Sequence, residues 1–122
     1  MSDLNDLAQD FLSLIQSGQA VEAAEKYWAV DIVIIEPEGT TEHASATVTG
    51  FDAARDKLTC WLGHSAMEEL SIDGPFITGN CFALFIDMLI KRRATGLCEP
   101  FSEIAVYTVR DDKIVEERYF YD

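Results

Sequence analysis

Histidine is nearly absent from this 122-residue chain, which holds only His43 and His64. They show no paired spacing with other ligand-forming side chains, so no metal and no cofactor are expected. Three cysteines (Cys60, Cys81, Cys98) form an odd set without a Cys-x-x-Cys motif. That pattern predicts free, mostly buried thiols in a reducing compartment. Basic residues are scarce too: 9 Lys and Arg against 22 Asp and Glu leave a net charge of −13. A nucleic-acid partner needs a basic surface, and so does an anionic membrane surface, so both are excluded. No apolar run approaches the roughly 18 residues of a membrane span. The acidic start, Met1 to Asp6, lacks the basic flank and apolar stretch of a signal peptide, so the expected location is cytoplasmic. A Gly-rich phosphate loop, a serine-nucleophile motif and a reactive-cysteine arrangement are all missing.

What is present is a clear order of elements. Ser2 is placed to cap a helix, and Leu4, Leu7, Phe11, Leu14 and Ile15 recur at helical spacing up to Gly18. A second helix is predicted from Ala20 to Trp28. Ile32 to Glu36 has the β-branched density of a short buried strand, ended by Pro37 and Gly39. A loop follows, then a short strand at Ala46–Val48 and a third helix opening at Gly50 and Asp52, with Leu58, Trp61 and Leu62 inward. From Met67 the pattern is strand-like: Glu69 to Thr78 with Gly74-Pro75 as a bulge at an edge, Cys81 to Arg93, Phe101 to Arg110, and Lys113 to Tyr121 after a tight turn at Asp111-Asp112. There is no repeat or linker, so residues 1–122 read as one α+β domain, three N-terminal helices on a curved, mostly antiparallel sheet. Such a sheet leaves a cavity beneath the helices, and Glu36 is the acid nearest its wall.

This arrangement resembles the SnoaL-like branch of the NTF2-like superfamily, which includes the ketosteroid isomerases. The resemblance rests on Phe11, the Gly18 break, Trp28 to Asp31, Ile32–Glu36 with Pro37, Gly50-Phe51-Asp52, Val106 to Val115, and Tyr119 to Asp122. It implies a cone-shaped domain with an apolar pocket, commonly homodimeric. In the isomerases the carboxylate before the first-strand proline is the proton-shuttling base, a place held here by Glu36. The helix-one tyrosine of their oxyanion hole falls on Phe11, and their protonated acid falls near Ser102. Both strong donors are therefore expected to be lost, at a typical cost of about 100- to 1,000-fold in rate for one donor. In SnoaL-type cyclases an aspartate near the end of the last strand is the acid–base residue, which matches Asp122. Counting from the isomerases instead turns Tyr121 inward and Asp122 outward, and a slip of one residue inverts the whole strand.

The candidate catalytic residues are thus Glu36 and Asp122. A carboxylate on an apolar strand suits proton abstraction beside a carbonyl; the competing reading is an ion pair with Arg55, Arg92 or another cation. Phe11, Trp28, His43, Trp61, Tyr107 and Tyr121 are the candidate ligand contacts, His43 near the pocket mouth and the two tyrosines as donors to a carbonyl. The outer face, carrying Phe101, Ala105 and Tyr107 or their alternates, is the expected dimer interface, and Tyr107 serves either it or the pocket, since alternation allows one side only. Asp87 is expected to face solvent, and His64 to end the third helix. Lys91-Arg92-Arg93, the one basic cluster, is open to receiving an anionic ligand group, but the favoured reading is that it blunts a strand end or meets acidic neighbours. Three functions fit: a cofactor-free isomerase, cyclase or dehydratase acting on a small apolar or carbonyl-bearing molecule, a non-catalytic binder of such molecules, and a dimeric interaction module whose cone is filled by its own aromatics.

Overall fold

The first helix starts where a cap is available. The computed structural model describes residues 3–37 and 47–121. Within them α1 (Leu4–Gln16) is capped by Asp3, whose side chain accepts the Asn5 N–H at 3.0 Å. One face of α1 buries Leu7, Ala8 and Phe11. Gly18, at φ +82°, reverses the chain into α2 (Ala20–Tyr27). Trp28 does not extend α2 as its spacing suggests; it begins β1 (Trp28–Ile35). The cause is local: five β-branched residues follow within seven positions, and they favour a pleated strand over a helix.

β2 (Thr47–Thr49) and α3 (Phe51–His64) come next, then the long strands β3 (Ser65–Thr78), β4 (Cys81–Arg92), β5 (Cys98–Arg110) and β6 (Lys113–Phe120). The sheet order is β2-β1-β6-β5-β4-β3, with every pairing antiparallel except β1 beside β6. One expectation is corrected here: two strands lie between α2 and α3, so the helices do not all precede the sheet. The sheet is mostly antiparallel, as expected, and its one parallel pairing arises because β1 inserts next to the last strand of the chain. The bulge expected at Gly74-Pro75 is present as a register shift between Asp73 and Phe76, with a cis peptide bond. Asp111 and Asp112 both take left-handed backbone conformations, as a two-residue hairpin turn requires.

Strand alternation separates two faces. Phe82, Leu84, Ile86, Met88 and Ile90 of β4 point to the helices and are buried, as are Ala105 and Tyr107 of β5. Phe82 stacks on Tyr107 at 4.7 Å, and Phe11 meets both rings edge-on, at 6.1 and 5.0 Å. The opposite face carries Ile104 and Phe120, each about half exposed (45% and 50%). Asp87 is exposed on that face, as expected, and accepts a hydrogen bond from Ser102.

Two residues of the basic cluster tie elements together, and one of them, Arg92, also lines the cavity described below. Arg92 bonds Glu99 and the Ser65 hydroxyl, and Arg93 donates to the Leu62 carbonyl, stitching the end of α3 to the β3–β4 edge. The His64 ring sits over the Cys60 carbonyl at 2.8 Å, closing the last turn of α3. The three thiols are free, but Cys60 and Cys98 are exposed rather than buried, which corrects the expectation. No helix among the described residues is long and apolar enough to cross a membrane.

Candidate functional site

Between the helices and the inner face of the sheet lies a cavity of about 280 Å³. Phe11 and Ile15 of α1, Ala24 of α2, and Lys57, Leu58 and Trp61 of α3 form one side. The other side is the sheet, through Trp28, Ile34, Ile86, Met88, Phe101 and Tyr107 among others. The wall is mainly apolar, but three carboxyl groups enter it: Glu36, Glu103 and Glu117.

Their positions follow from the register. Glu36 is two residues beyond Ile34, whose partner on β6 is Glu117. Glu117 pairs across with Tyr107, and Glu103 pairs with Ile86. The inward-facing sets are thus Ile34 and Glu36, Phe101 to Tyr107 at every second residue, and Glu117, Tyr119 and Tyr121. Tyr107 and Phe101 therefore line the cavity, and Ala105 is buried on the same inner face. Of the two outer-face sets left open, Phe101, Ala105 and Tyr107 or their alternates, it is the alternates Ser102, Ile104 and Val106 that alternation turns outward.

Each acid has its own environment. Glu36 Oε2 is 2.6 Å from Lys57 Nζ, and both side chains are largely shielded, at 19% and 13% exposed. Glu36 lines the cavity and has a cationic partner, which is Lys57 and not Arg55 or Arg92. Arg55 is committed to Glu25 and Arg92 to Glu99.

Glu117 is 3% exposed. It accepts the Trp28 indole N–H on Oε2 and the Tyr119 hydroxyl on Oε1, each at 2.5 Å. Burial pushes its carboxyl above the usual range, and the two donors hold the rise back. Glu103 has no hydrogen bond or ion pair among the described residues. Burial, then the like charges of Glu36 and Glu117, push it up to about 8. At neutral pH Glu103 is therefore mainly a neutral acid, able to donate. Replacing Trp28 by Phe should leave one Glu117 oxygen without its donor. A loss of about 1–3 kcal/mol, read by urea unfolding, is the expected cost of that buried acceptor.

The expected sites can now be placed. Glu36, Phe11, Trp28, Trp61, Tyr107 and Tyr121 all line the cavity. His43 and Asp122 lie outside the described residues. Ser102, the position matched to the isomerases' protonated acid, is exposed on the outer face and bonded to Asp87, so it is corrected; its neighbour Glu103 faces the cavity in its place. Glu103, Glu117 and Lys57 were missed. The signal for the first two was the period-two series Phe101-Glu103-Ala105-Tyr107 and Glu117-Tyr119-Tyr121. Lys57 had none, because its position follows from how α3 lies across β1.

A SnoaL-like domain model matches residues 3–121. The chain belongs to the SnoaL-like domain family. A solved structure from Mesorhizobium loti, for which polyketide cyclase and carbohydrate phosphatase activity has been proposed, is 34% identical. Its TM-score is 0.89, over 98% of this chain and 100% of that one. An NTF2-like protein of unknown function from Burkholderia pseudomallei is 15% identical, with a TM-score of 0.83 over 100% and 92%. TerC, crystallised with polyporic acid, is also 15% identical, with a TM-score of 0.80 over 99% and 92%. These establish an α+β NTF2-like fold with a curved, unclosed sheet. Among curated proteins, none matches the chain significantly. A fold neighbour from Bacillus subtilis that is named as an isomerase is 17% identical, and neither the family nor the fold selects an activity for this SnoaL-like chain.

Proposed function

We propose that this SnoaL-like protein is a cofactor-independent proton-transfer enzyme that isomerises, cyclises or dehydrates a small, mainly apolar carbonyl compound. The observation carrying the reading is the meeting of two acids of opposite duty in one apolar cavity. Glu36 is an ion-paired carboxylate held by Lys57, and Glu103 is an unpaired acid whose proton is retained to about pH 8. Glu36 removes a proton from the carbon beside the carbonyl. Glu103 donates a hydrogen bond to the carbonyl oxygen as negative charge develops there, the role of a preorganised oxyanion donor. Glu36 then returns the proton to a different carbon, so no redox partner is consumed. Tyr107 and Tyr121 complete the polar contacts, and Phe11, Trp28 and Trp61 supply apolar wall. The test is deuterium exchange into 2-tetralone beside its carbonyl: Glu36→Gln should suppress it while leaving the fold intact. Exchange at the wild-type rate in Glu36→Gln would remove Glu36 as the base; a wild type that binds 2-tetralone without exchange above the uncatalysed rate, and a Glu36→Gln protein that still binds it, would support the binder reading instead.

A homodimer is part of the proposal. Across β4, β5 and β6 the outer face sets Phe85, Ile104 and Phe120 in one row. Asp87 and Arg118 lie diagonally on either side of Ile104. A two-fold axis in the interface, passing over Ile104, lays each Asp87 on the other copy's Arg118, so the patch complements itself. Ile104→Glu should raise the dimer dissociation constant at least ~tenfold by placing two carboxylates at the axis, and sedimentation equilibrium reads it. A wild-type mass of one chain removes the claim. The exposed free thiols of Cys60 and Cys98 suit a reducing cytoplasm.

A further inference from the structure

The mechanism uses Glu36 and Glu103 and leaves the most buried acid without a task. Glu117 is held by two short hydrogen bonds from different strands, one through Trp28 of β1 and one through Tyr119 of its own strand. Each of its oxygens takes one donor. A carboxylate offers about four acceptor sites, so capacity remains on both oxygens. Tyr107 and Tyr119 line the same part of the cavity, and their phenol oxygens also accept. The wall around this group is apolar through Phe11, 5.0 Å from the Tyr107 ring, and Ile34, the β1 partner of Glu117. A ligand end seated here meets acceptors and hydrocarbon, and among the described residues no lysine or arginine acts on Glu117; Lys57 and Arg92 line the cavity elsewhere.

We infer that the Glu117–Tyr119 end of the cavity is a hydroxyl-binding subsite, so that the ligand is a ring compound carrying a carbonyl at one end and a hydroxyl at the other. This rests on the reading of Glu36 and Glu103 as the carbonyl end. Spacing supports it. Glu103 and Tyr107, the cross-strand partner of Glu117, are four residues apart on β5, about 13 Å at ~3.3 Å per residue. Side chains reaching inward close part of that gap, which leaves the length of a two-ring compound with oxygen at both ends. A hydroxyl fits better than a carboxylate, which would crowd a second acidic group against the buried Glu117. It also fits better than a bare hydrocarbon edge, which gains nothing from the acceptors. Trp28 makes the subsite rigid: its indole fixes one Glu117 oxygen while Phe51 packs edge-on against the ring at 6.0 Å.

The test compares two probes on the full chain by calorimetry at pH 7: 6-hydroxy-2-tetralone and 2-tetralone. The hydroxyl should tighten binding at least ~tenfold, about 1.4 kcal/mol, the scale of one well-made hydrogen bond. In Glu117→Gln that advantage should fall below ~threefold, whereas Glu36→Gln should keep it. If Glu117→Gln fails to fold, Tyr119→Phe decides, since it removes only the hydroxyl that aligns Glu117 and should also reduce the preference. Equal binding of the two probes to the wild type, or binding of neither, overturns the inference. Deuterium exchange in the same samples reports the carbonyl end separately. A hydroxyl preference without exchange sinks the proton-transfer reading and keeps the subsite, and exchange without preference does the reverse.

Discussion

Glu36→Gln should slow deuterium uptake beside the 2-tetralone carbonyl by about 100- to 10,000-fold, the usual contribution of a positioned general base. The amide keeps the size and one acceptor oxygen of the carboxylate, so Lys57 retains a partner and the wall retains its shape. Folding should be almost unchanged, because Glu36 sits past the end of β1 and outside the buried core. The separation between a large kinetic loss and a small stability loss is what marks chemistry. Lys57→Met should act differently. It frees the carboxylate from the ion pair without removing it, so exchange should persist at an altered rate.

The second large effect is a stability that falls with rising pH because of Glu103. Its folded-state value of about 8 lies above the ordinary 4.5. Between those two values the folded chain keeps a proton that the unfolded chain has released. Stabilisation from this group is therefore fully present below about pH 4.5 and is lost as the pH rises through 8, the reverse of a salt-bridged carboxylate. The steepest slope for one proton is about 1.4 kcal/mol per pH unit. Glu103→Gln has no proton to lose. Its stability relative to the wild type should climb across this range and exceed it by at least ~2 kcal/mol at pH 9. Paired urea titrations at pH 5, 7 and 9 measure the difference. A difference that stays flat from pH 5 to 9 would mean Glu103 is solvated.

Much of this was legible before any coordinates, and the parts that were not share a cause. Helical spacing in Leu7, Phe11 and Ile15 and alternation from Cys81 onward each depend on local periodicity, and the elements fall close to where that periodicity puts them. Trp28 was misplaced because its helical spacing from Val21 and Ala24 competes with the β-branched run that follows. The parallel pairing of β1 with β6 joins segments some ninety residues apart, and no local pattern encodes it. Glu36 was legible as a strand-end acid beside a proline. Glu103 and Glu117 were hidden by a question of parity. Glutamates in a hairpin strand ordinarily face water, and only the inward Tyr107 and Tyr119 reveal that their side of the strand does not.

The measurement that bears most directly on the central claim is the carboxyl-carbon NMR titration of Glu103, with Glu103→Gln to assign the signal. The account predicts a midpoint near 8, moving downward in Glu36→Gln as one like charge is removed. A midpoint near 4.5 that ignores Glu36→Gln would contradict it, because the cavity would then hold no neutral acid to set against its base.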